Sequence, residues 1–254
     1  MCPRHYIERP DGYIDKILWQ KIIDELTQSN PDAVVLPFWR GEPLLHPAFI
    51  ELLKYAVSKS IKIHISTNGH LVEGIYAGLL SECEFVTFSI HSHSGLRRAK
   101  EFLTIRKNTK PIVQVSFVRG EQTTESLLGD IVNSPELSGF DTVRVFEEHT
   151  VDGVFGKTRA SGNNHRMFCQ KLTDTLVIAY DGSISRCNHI WKTQNSVNIN
   201  NMTLKDVWHS EYLMGIRNSY PDNFCGPCDQ WIGHTRGEAW RRVDSGIEHK
   251  VFGA

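Results

Sequence analysis

Four cysteines in the last third of the chain have the residue type and the spacing to hold a metal. Cys225 and Cys228 form a Cys-x2-Cys pair, which places two thiolates on one tight turn. Cys169 and Cys187 lie upstream, one at each end of a predicted hairpin, and bring the number of thiol ligands to four. Zinc and an iron–sulfur cluster both fit this count, and a coincidental group of buried thiols is the alternative.

A second stretch that could do chemistry runs from Trp39 to Pro47, directly after the apolar run Ala33–Phe38. In parallel α/β proteins, ligands bind at the carboxyl ends of the strands, and this stretch follows such an end. Gly41 would let a ligand approach the backbone, Pro43 would fix the turn, and Glu42 offers an acceptor for a cationic group. An ordinary loop between a strand and a helix, with a surface glutamate, is the alternative.

Charge and hydropathy exclude several classes of protein. The 254 residues carry a net charge of −1, which argues against a nucleic-acid footprint or a polybasic membrane patch. The apolar runs have the length of strands rather than of membrane-spanning helices, and no secretory signal is recognisable. We therefore expect a cytoplasmic protein, in which cysteines are more often metal ligands, catalytic thiols or core residues than disulfides.

The elements that must position these residues alternate along the chain, which predicts a parallel sheet covered by helices. The predicted helices are Asp15–Gln28, Ala48–Ser58, Leu71–Leu80, Ser94–Arg106 and Ser126–Val132, and the predicted strands are Ala33–Phe38, Ile61–Thr67, Phe85–Ile90, Ile112–Val118 and Thr142–Phe146.

Four of the predicted strands alternate between apolar and polar residues. The polar positions are His64, Ser66 and Asn68, then Thr87, Ser89 and His91, then Gln114 and Ser116, and finally Thr142 and Arg144. Parallel sheets are normally buried on both faces, so a recurring polar face indicates strands that curve around a hydrated, ligand-bearing lumen. A partial barrel is the preferred interpretation, and an open sheet with one wet face is the alternative.

The region after the last predicted strand has a different character. Residues 147–166 lack periodicity and read as a linker or a covering loop. Asp181-Gly182 predicts a tight hairpin turn, and Thr203 is the expected N-cap of a short helix. The last residues read as a charged tail, and Cys83 reads as a core thiol.

Together these motifs resemble those of radical S-adenosylmethionine (radical SAM) enzymes. The core motifs are Cys2-Pro3-Arg4, the stretch Gly41–Pro47, Ser66-Thr67-Asn68-Gly69 and Ser89-Ile90-His91. Some of these enzymes carry a C-terminal extension that binds an auxiliary cluster, called SPASM in its longer form and twitch in its shorter form. The motifs that resemble this extension are Cys169…Asp181-Gly182…Cys187, Val207-Trp208-His209-Ser210 and Cys225-x2-Cys228. The resemblance extends from Cys2 to about Trp231.

The resemblance implies a fold class and a division into domains. The fold would be α/β, a partial (β/α)6 TIM-like barrel that lacks its first strand, followed by a small cysteine-rich SPASM/twitch domain. The radical SAM core would span residues 1–150, a linker 151–168, the auxiliary iron–sulfur domain 169–232, and the tail 233–254.

The resemblance also implies roles for individual residues. Gly41, Glu42 and Pro43 would receive the amino group of S-adenosylmethionine. Ser66, Asn68 and Ser89 would hydrogen-bond its ribose or carboxylate. Arg144 would serve as the catalytic residue that meets the cofactor carboxylate or the substrate.

Two [4Fe-4S] clusters are implied. In the family, a C-x3-C-x2-C loop holds the cluster that chelates S-adenosylmethionine, and Cys2 matches its third cysteine. The first two would precede Met1, so we expect Met1 to be an internal methionine or the chain to be a fragment. The auxiliary cluster would be held by Cys169, Cys187, Cys225 and Cys228, enough thiols for one cluster, which favours the twitch-like form.

The implied activity is that of a radical SAM oxidoreductase. Reductive cleavage of S-adenosylmethionine would give a 5′-deoxyadenosyl radical, which abstracts hydrogen from a small hydroxylated or peptide substrate. Flavodoxin or ferredoxin would be the electron donor, and neither nucleic acid nor membrane would be a partner. The rival interpretation is a non-catalytic zinc or iron–sulfur binding protein with a degenerate barrel. An acyl- or phosphoryl-transfer barrel is disfavoured, because we find no glycine-rich phosphate loop and no nucleophile elbow.

Overall fold

The computed structural model describes residues 10–39, 41–106, 110–119, 134–147, 168–190, 192–225, 228, 237–243 and 246–252. The chain divides into two compact units. One comprises Pro31–Glu148 and Gly237–Phe252, and the other comprises Met1–Asn30 and His149–Arg236. Within the described ranges, no helix is both long and apolar enough to cross a membrane.

The first unit is a sheet with helices between its strands. Its strands are β1 (Val34–Val35), β2 (Lys62–Thr67), β3 (Phe85–Ser89), β4 (Ile112–Arg119) and β5 (Thr142–Glu147), and its helices are α2 (Phe49–Ser58), α3 (Gly74–Leu80) and α4 (His93–Ile105). The strands β1 to β5 are parallel and neighbour one another in chain order. This confirms the predicted parallel α/β core; the predicted helix Ser126–Val132 lies outside the described residues.

The alternation predicted for these strands separates a buried apolar face from a polar one. The buried apolar side chains are Ile63, Ile65, Val86, Phe88, Val113, Val115, Val143 and Val145. Each such side chain contributes roughly 1.5–3 kcal/mol when fully buried. The polar side chains of β2, β3 and β5 point the other way because successive side chains of a strand alternate. The first strand, β1, has two residues where the sequence predicted Ala33–Phe38. It lies at one edge of the sheet and pairs only with β2.

The end of the chain adds two strands that the sequence did not predict. The sequence predicts a tail at 233–254, but β9 (Gly237–Val243) pairs antiparallel with β5, and β10 (Gly246–Phe252) pairs antiparallel with β9. The rings of Trp240 and His249 stack with their centroids 4.8 Å apart. The sequence did not predict this hairpin because the segment is rich in charged residues, and its strand conformation depends on pairing with β5.

The second unit combines an early helix with the cysteine-bearing region. It contains α1 (Lys16–Ser29), α5 (Gln170–Asp174), α6 (Leu204–Trp208) and α7 (Glu211–Asn218), with a small sheet of β6 (Val177–Ile178), β7 (Ser183–Ser185) and β8 (Gln194–Asn198). The predicted hairpin is present, with β6 and β7 antiparallel and Gly182 in the turn at φ +81°. Thr203 is the N-cap of α6 and forms a capping box with Asp206.

Helix α1 belongs to this second unit, although the sequence placed it in the predicted 1–150 core. Its apolar stripe, including Leu18 and Ile22, packs in one core with Ile184, Ile199 and Val207. The Lys21 ammonium donates to the carbonyls of Ile199 (2.8 Å) and Met202 (2.6 Å). These contacts join residues 178 and 181 positions apart, so no local pattern could have predicted them.

Candidate functional site

The loop after β1 turns sharply at Gly41 and then forms a short 3-10 helix, Pro43–Leu45. Gly41 is exposed and has a φ of +132°, a conformation that L side chains rarely adopt. Glu42 is the N-cap of the 3-10 helix, where its Oε1 accepts a hydrogen bond of 3.2 Å from the Leu44 amide. The loop therefore exposes its backbone at Gly41.

The carboxylate of Glu42 ties this loop to the end of β2. Its Oε1 accepts from the Thr67 hydroxyl at 2.8 Å, and its Oε2 accepts from the Asn68 amide at 2.7 Å. With the Leu44 amide, three of the roughly four acceptor positions of the carboxylate are used within the protein. Glu42 thus holds two neighbouring strand ends together, a role that its place in the sequence motif does not reveal.

Three serine hydroxyls form a row across β2, β3 and β4. The Oγ of Ser89 lies 3.2 Å from that of Ser66 and 3.3 Å from that of Ser116. Ser89, Ser116 and Arg144 are register partners on three adjacent strands. The row therefore leads from Ser66 to Arg144, and it includes Ser116, which the sequence placed on the polar face without assigning it a role.

Arg144 stands at the end of this row and is largely buried, with 7% of its surface exposed. Its guanidinium carbon lies 4.9 Å from the centroid of the Phe146 ring. Burial lowers the pKa of Arg144 to about 10, so the side chain still carries its positive charge at neutral pH. A buried cation on the sheet face that carries the hydroxyls can bind a carboxylate or another anionic group.

The side chain of Asn68 is occupied in part by local structure. Its Oδ1 accepts a hydrogen bond of 2.9 Å from the His70 amide. The Asn68 backbone amide is the group that donates to Glu42. Asn68 therefore shapes the loop after β2 and leaves its side-chain NH2 as the donor that could reach a ligand.

The four cysteines at 169, 187, 225 and 228 all belong to the second unit. Cys169 precedes α5, Cys187 follows β7, and the Cys228 amide donates to the Cys225 carbonyl at 3.1 Å within one turn. All four are half-buried and free of disulfides. Cys2 lies outside the described residues, and Cys83 is a buried thiol of the other unit, as its sequence context predicted.

Two basic side chains interact with the four thiols. Lys171 interacts electrostatically with Cys169, Cys187 and Cys228, while Arg186 interacts with Cys187 and Cys225. Burial raises the pKa of the Cys225 thiol to about 12 and also raises that of Cys187. Both thiols would therefore release protons when they bind a metal.

The donor set fits a group ligated by sulfur. Thiolates are soft ligands that select zinc, copper(I) or iron–sulfur clusters. Among the described residues, no three His, Cys, Asp or Glu side chains are grouped so that a single metal ion could bind them. The four thiols belong to one unit, and a four-thiolate donor set is the one that binds a [4Fe-4S] cluster.

Comparison of sequences identifies the cysteine-bearing region. A family model described as SPASM, an iron–sulfur cluster-binding domain, matches residues 169–229. The tungsten-containing aldehyde ferredoxin oxidoreductase cofactor-modifying protein of Pyrococcus furiosus is 32% identical over 73 residues. That match covers 28% of this chain and only 20% of the length of the relative.

Comparison of structures extends the likeness to most of the chain. Streptococcus suis SuiB bound to the precursor peptide SuiA has a TM-score of 0.66 at 17% identity, over 93% of this chain and 68% of that one. BtrN in complex with AdoMet and 2-DOIA has a TM-score of 0.54 at 14% identity, over 89% of this chain and 85% of that one. The chain therefore shares the fold of SuiB and BtrN, and its residues 169–229 match the SPASM iron–sulfur cluster-binding domain.

Proposed function

We propose that this chain belongs to a radical SAM oxidoreductase that binds S-adenosylmethionine at the carboxyl ends of β1–β5. The observation that carries the proposal is the row of serine hydroxyls that leads to the buried cation Arg144. S-Adenosylmethionine presents a ribose with two hydroxyls, an amino group and a carboxylate. The row offers hydroxyl partners for the sugar, and Arg144 offers a cation for the carboxylate, all on one face of a parallel sheet.

Each predicted residue has a role in this proposal. Gly41 and Pro43 shape an open loop whose backbone carbonyls face the amino group, and Glu42 fixes that loop and keeps about one acceptor position for it. Ser66 and Ser89 bind the ribose, with the Asn68 amide group beside them. Arg144 binds the carboxylate of the cofactor or of the substrate.

S-Adenosylmethionine bound at a reduced [4Fe-4S] cluster would supply radical chemistry, the removal of a hydrogen atom from the substrate. The chain's own contribution is to orient the sugar and to hold a positive charge in a largely buried position. The apolar face of β2–β5, buried away from water, fixes the strands that carry these groups. Preorganised polar groups of this kind need no rearrangement during the reaction.

The cysteines of the second unit would hold one auxiliary [4Fe-4S] cluster. Four thiolates satisfy all four irons of such a cluster, so no iron is left open for a substrate. This ligand count favours a twitch-like auxiliary site, which would supply an electron acceptor suited to a dehydrogenation. Flavodoxin or ferredoxin is the proposed external electron donor.

The substrate class is proposed as a small hydroxylated molecule or a peptide. Hydroxyls and the Gln114 amide, which donates to Thr87 at 3.1 Å, give the polar face a character suited to hydroxylated groups. The similarity to SuiB, which was solved with a precursor peptide, supports a peptide. Activity assays with small hydroxylated molecules and with peptides would show which of the two substrate classes the protein accepts.

Anaerobic reconstitution with iron and sulfide tests the cluster site. The chain should take up about four irons with broad charge-transfer absorption. Cys187→Ala should lower that uptake, whereas Cys83→Ala should leave it unchanged, because Cys83 is buried in the other unit. Uptake of one zinc and no iron would support the rival, non-catalytic metal-binding protein.

The cofactor site is tested in a version of the protein that carries a complete C-x3-C-x2-C loop. About eight irons and reductive cleavage of S-adenosylmethionine are expected. Ser89→Ala should weaken binding of S-adenosylmethionine, because Ser89 is the central hydroxyl of the row. Ser58→Ala, at the exposed end of α2, is the matched control and should bind as the wild type does. Equal affinities in the two variants would contradict the assignment of the row.

A further inference from the structure

Arg186 lies beside two of the four cysteines, and its environment fixes its orientation. It directly precedes Cys187 in the chain, and only 9% of its surface is exposed. Its Nη2 donates to Asp222 Oδ2 at 2.6 Å and to Cys225 Sγ at 3.4 Å. Its guanidinium carbon lies 5.0 Å from the centroid of the Phe224 ring. The side chain therefore joins the segment of Cys187 to the turn of Cys225.

Asp222 holds both the guanidinium and the cysteine turn. Its Oδ1 accepts hydrogen bonds from the amides of Phe224 (3.0 Å) and Cys225 (2.9 Å), while its Oδ2 receives Arg186. Because Asp222 binds the guanidinium and the Cys225 turn together, it keeps Nη2 of Arg186 aimed at the Cys225 sulfur.

We propose that Arg186 is a positioning residue that raises the reduction potential of the auxiliary cluster through its N–H···S hydrogen bond to Cys225. The inference rests on the proposed function, because it requires a cluster at the four cysteines. Reduction adds one negative charge, and part of that charge resides on the ligand sulfurs. A donor aimed at such a sulfur stabilises the reduced form more than the oxidised form, so the potential rises.

The test is the midpoint potential of the reconstituted cluster, measured by electron paramagnetic resonance during an anaerobic redox titration of the full chain. Arg186→Met removes the donor and leaves Asp222 without its cation, and both effects lower the potential. The double variant Arg186→Met with Asp222→Asn removes the donor at unchanged net charge, so it isolates the contribution of the hydrogen bond. Arg186→Lys keeps the charge and a single-point donor, and it should recover part of the lost potential.

The matched control is Arg217→Met. Arg217 lies in the same unit, donates to the carbonyls of Leu172 and Trp208, and stacks on the Trp208 ring, so its removal perturbs the fold without touching a described cysteine sulfur. We expect Arg186→Met to lower the equilibrium constant for cluster reduction about tenfold, which is about 59 mV for a one-electron couple. Arg217→Met should leave the potential unchanged.

Three outcomes would overturn the proposal, and they are distinguishable. A wild-type potential in Arg186→Met with about four irons bound would show that the hydrogen bond does not tune the cluster. Loss of the cluster even in Arg186→Lys would show that Arg186 serves assembly rather than potential. A wild-type chain that takes up zinc and no iron–sulfur cluster would refute the proposed function together with this inference.

Discussion

Replacement of Glu42 tests whether its carboxylate holds the loop to the end of β2 or only binds a ligand. In Glu42→Ala, the Leu44 and Asn68 amides and the Thr67 hydroxyl lose their acceptor, and Thr67 is almost fully buried. An unpaired buried polar group costs roughly 1–3 kcal/mol, and these three bonds are only partly buried, so together their loss should lower the free energy of unfolding by about 3 kcal/mol. Glu42→Gln keeps one oxygen as an acceptor but turns an NH2 toward another donor, and should cost about half as much.

The assay is urea unfolding of the apo chain, combined with hydrogen exchange of the Asn68 amide. A loss of about 3 kcal/mol corresponds to a fall of roughly 6–12 °C in melting temperature for a chain of this size. The Asn68 amide should exchange faster in Glu42→Ala, since its acceptor at 2.7 Å is gone. The two readouts separate a local effect at the end of β2 from a general loss of stability.

Glu136→Ala is the matched control. The Glu136 side chain is 62% exposed, and its carboxylate lies 4.0 Å from the Lys100 ammonium, a surface ion pair worth at most about 0.5–1 kcal/mol. Our reasoning is refuted if Glu42→Ala unfolds like Glu136→Ala and the exchange of Asn68 is unchanged. A carboxylate reserved for a ligand would give that result, together with weaker binding of S-adenosylmethionine.

Three further predictions concern the two units. In Gly182→Ala, the new Cβ would lie 2.5 Å from Asn198 Oδ1 at a φ of +81°, so we expect a loss of about 2 kcal/mol in unfolding free energy and lower iron uptake. Gly78→Ala lies inside α3 with open space around it and should instead gain about 0.5–1 kcal/mol. Ile22→Ala should cost about 2–4 kcal/mol in urea unfolding and reduce iron retention, because Ile22 is in the core of the cysteine-bearing unit, whereas Ile17→Ala, 77% exposed on the same helix, should change little. Burial raises the pKa of the Cys83 thiol to about 12, so its contribution to stability is complete below the unfolded thiol pKa of about 8.5 and is lost as the pH rises. Between pH 9 and 11 the free energy of unfolding of the wild type should fall by about 1.4 kcal/mol per pH unit relative to that of Cys83→Ala. Parallel urea-midpoint profiles of the two proteins would contradict this.

The sequence by itself determined the local elements and the chemistry-bearing residue types. The period-2 pattern around Ser66, Ser89 and Arg144 predicted a polar face, because side-chain direction in a strand depends only on parity. Asp181-Gly182 predicted its hairpin, since few residues adopt the positive φ of that turn. The spacing of the cysteines was enough to propose a metal-binding region, which the SPASM match supports.

Only the tertiary structure decided which of these groups meet. The register of β3, β4 and β5 aligned Ser89, Ser116 and Arg144 into a row, and parity alone cannot give that register. The bonds of Glu42 to Thr67 and of Arg186 to Cys225 join residues 25 and 39 positions apart. Helix α1 and the strands β9 and β10 likewise obtained their places from long-range packing and pairing. Such contacts depend on the packing of whole units, so they lie beyond the reach of the local periodicity that a sequence displays.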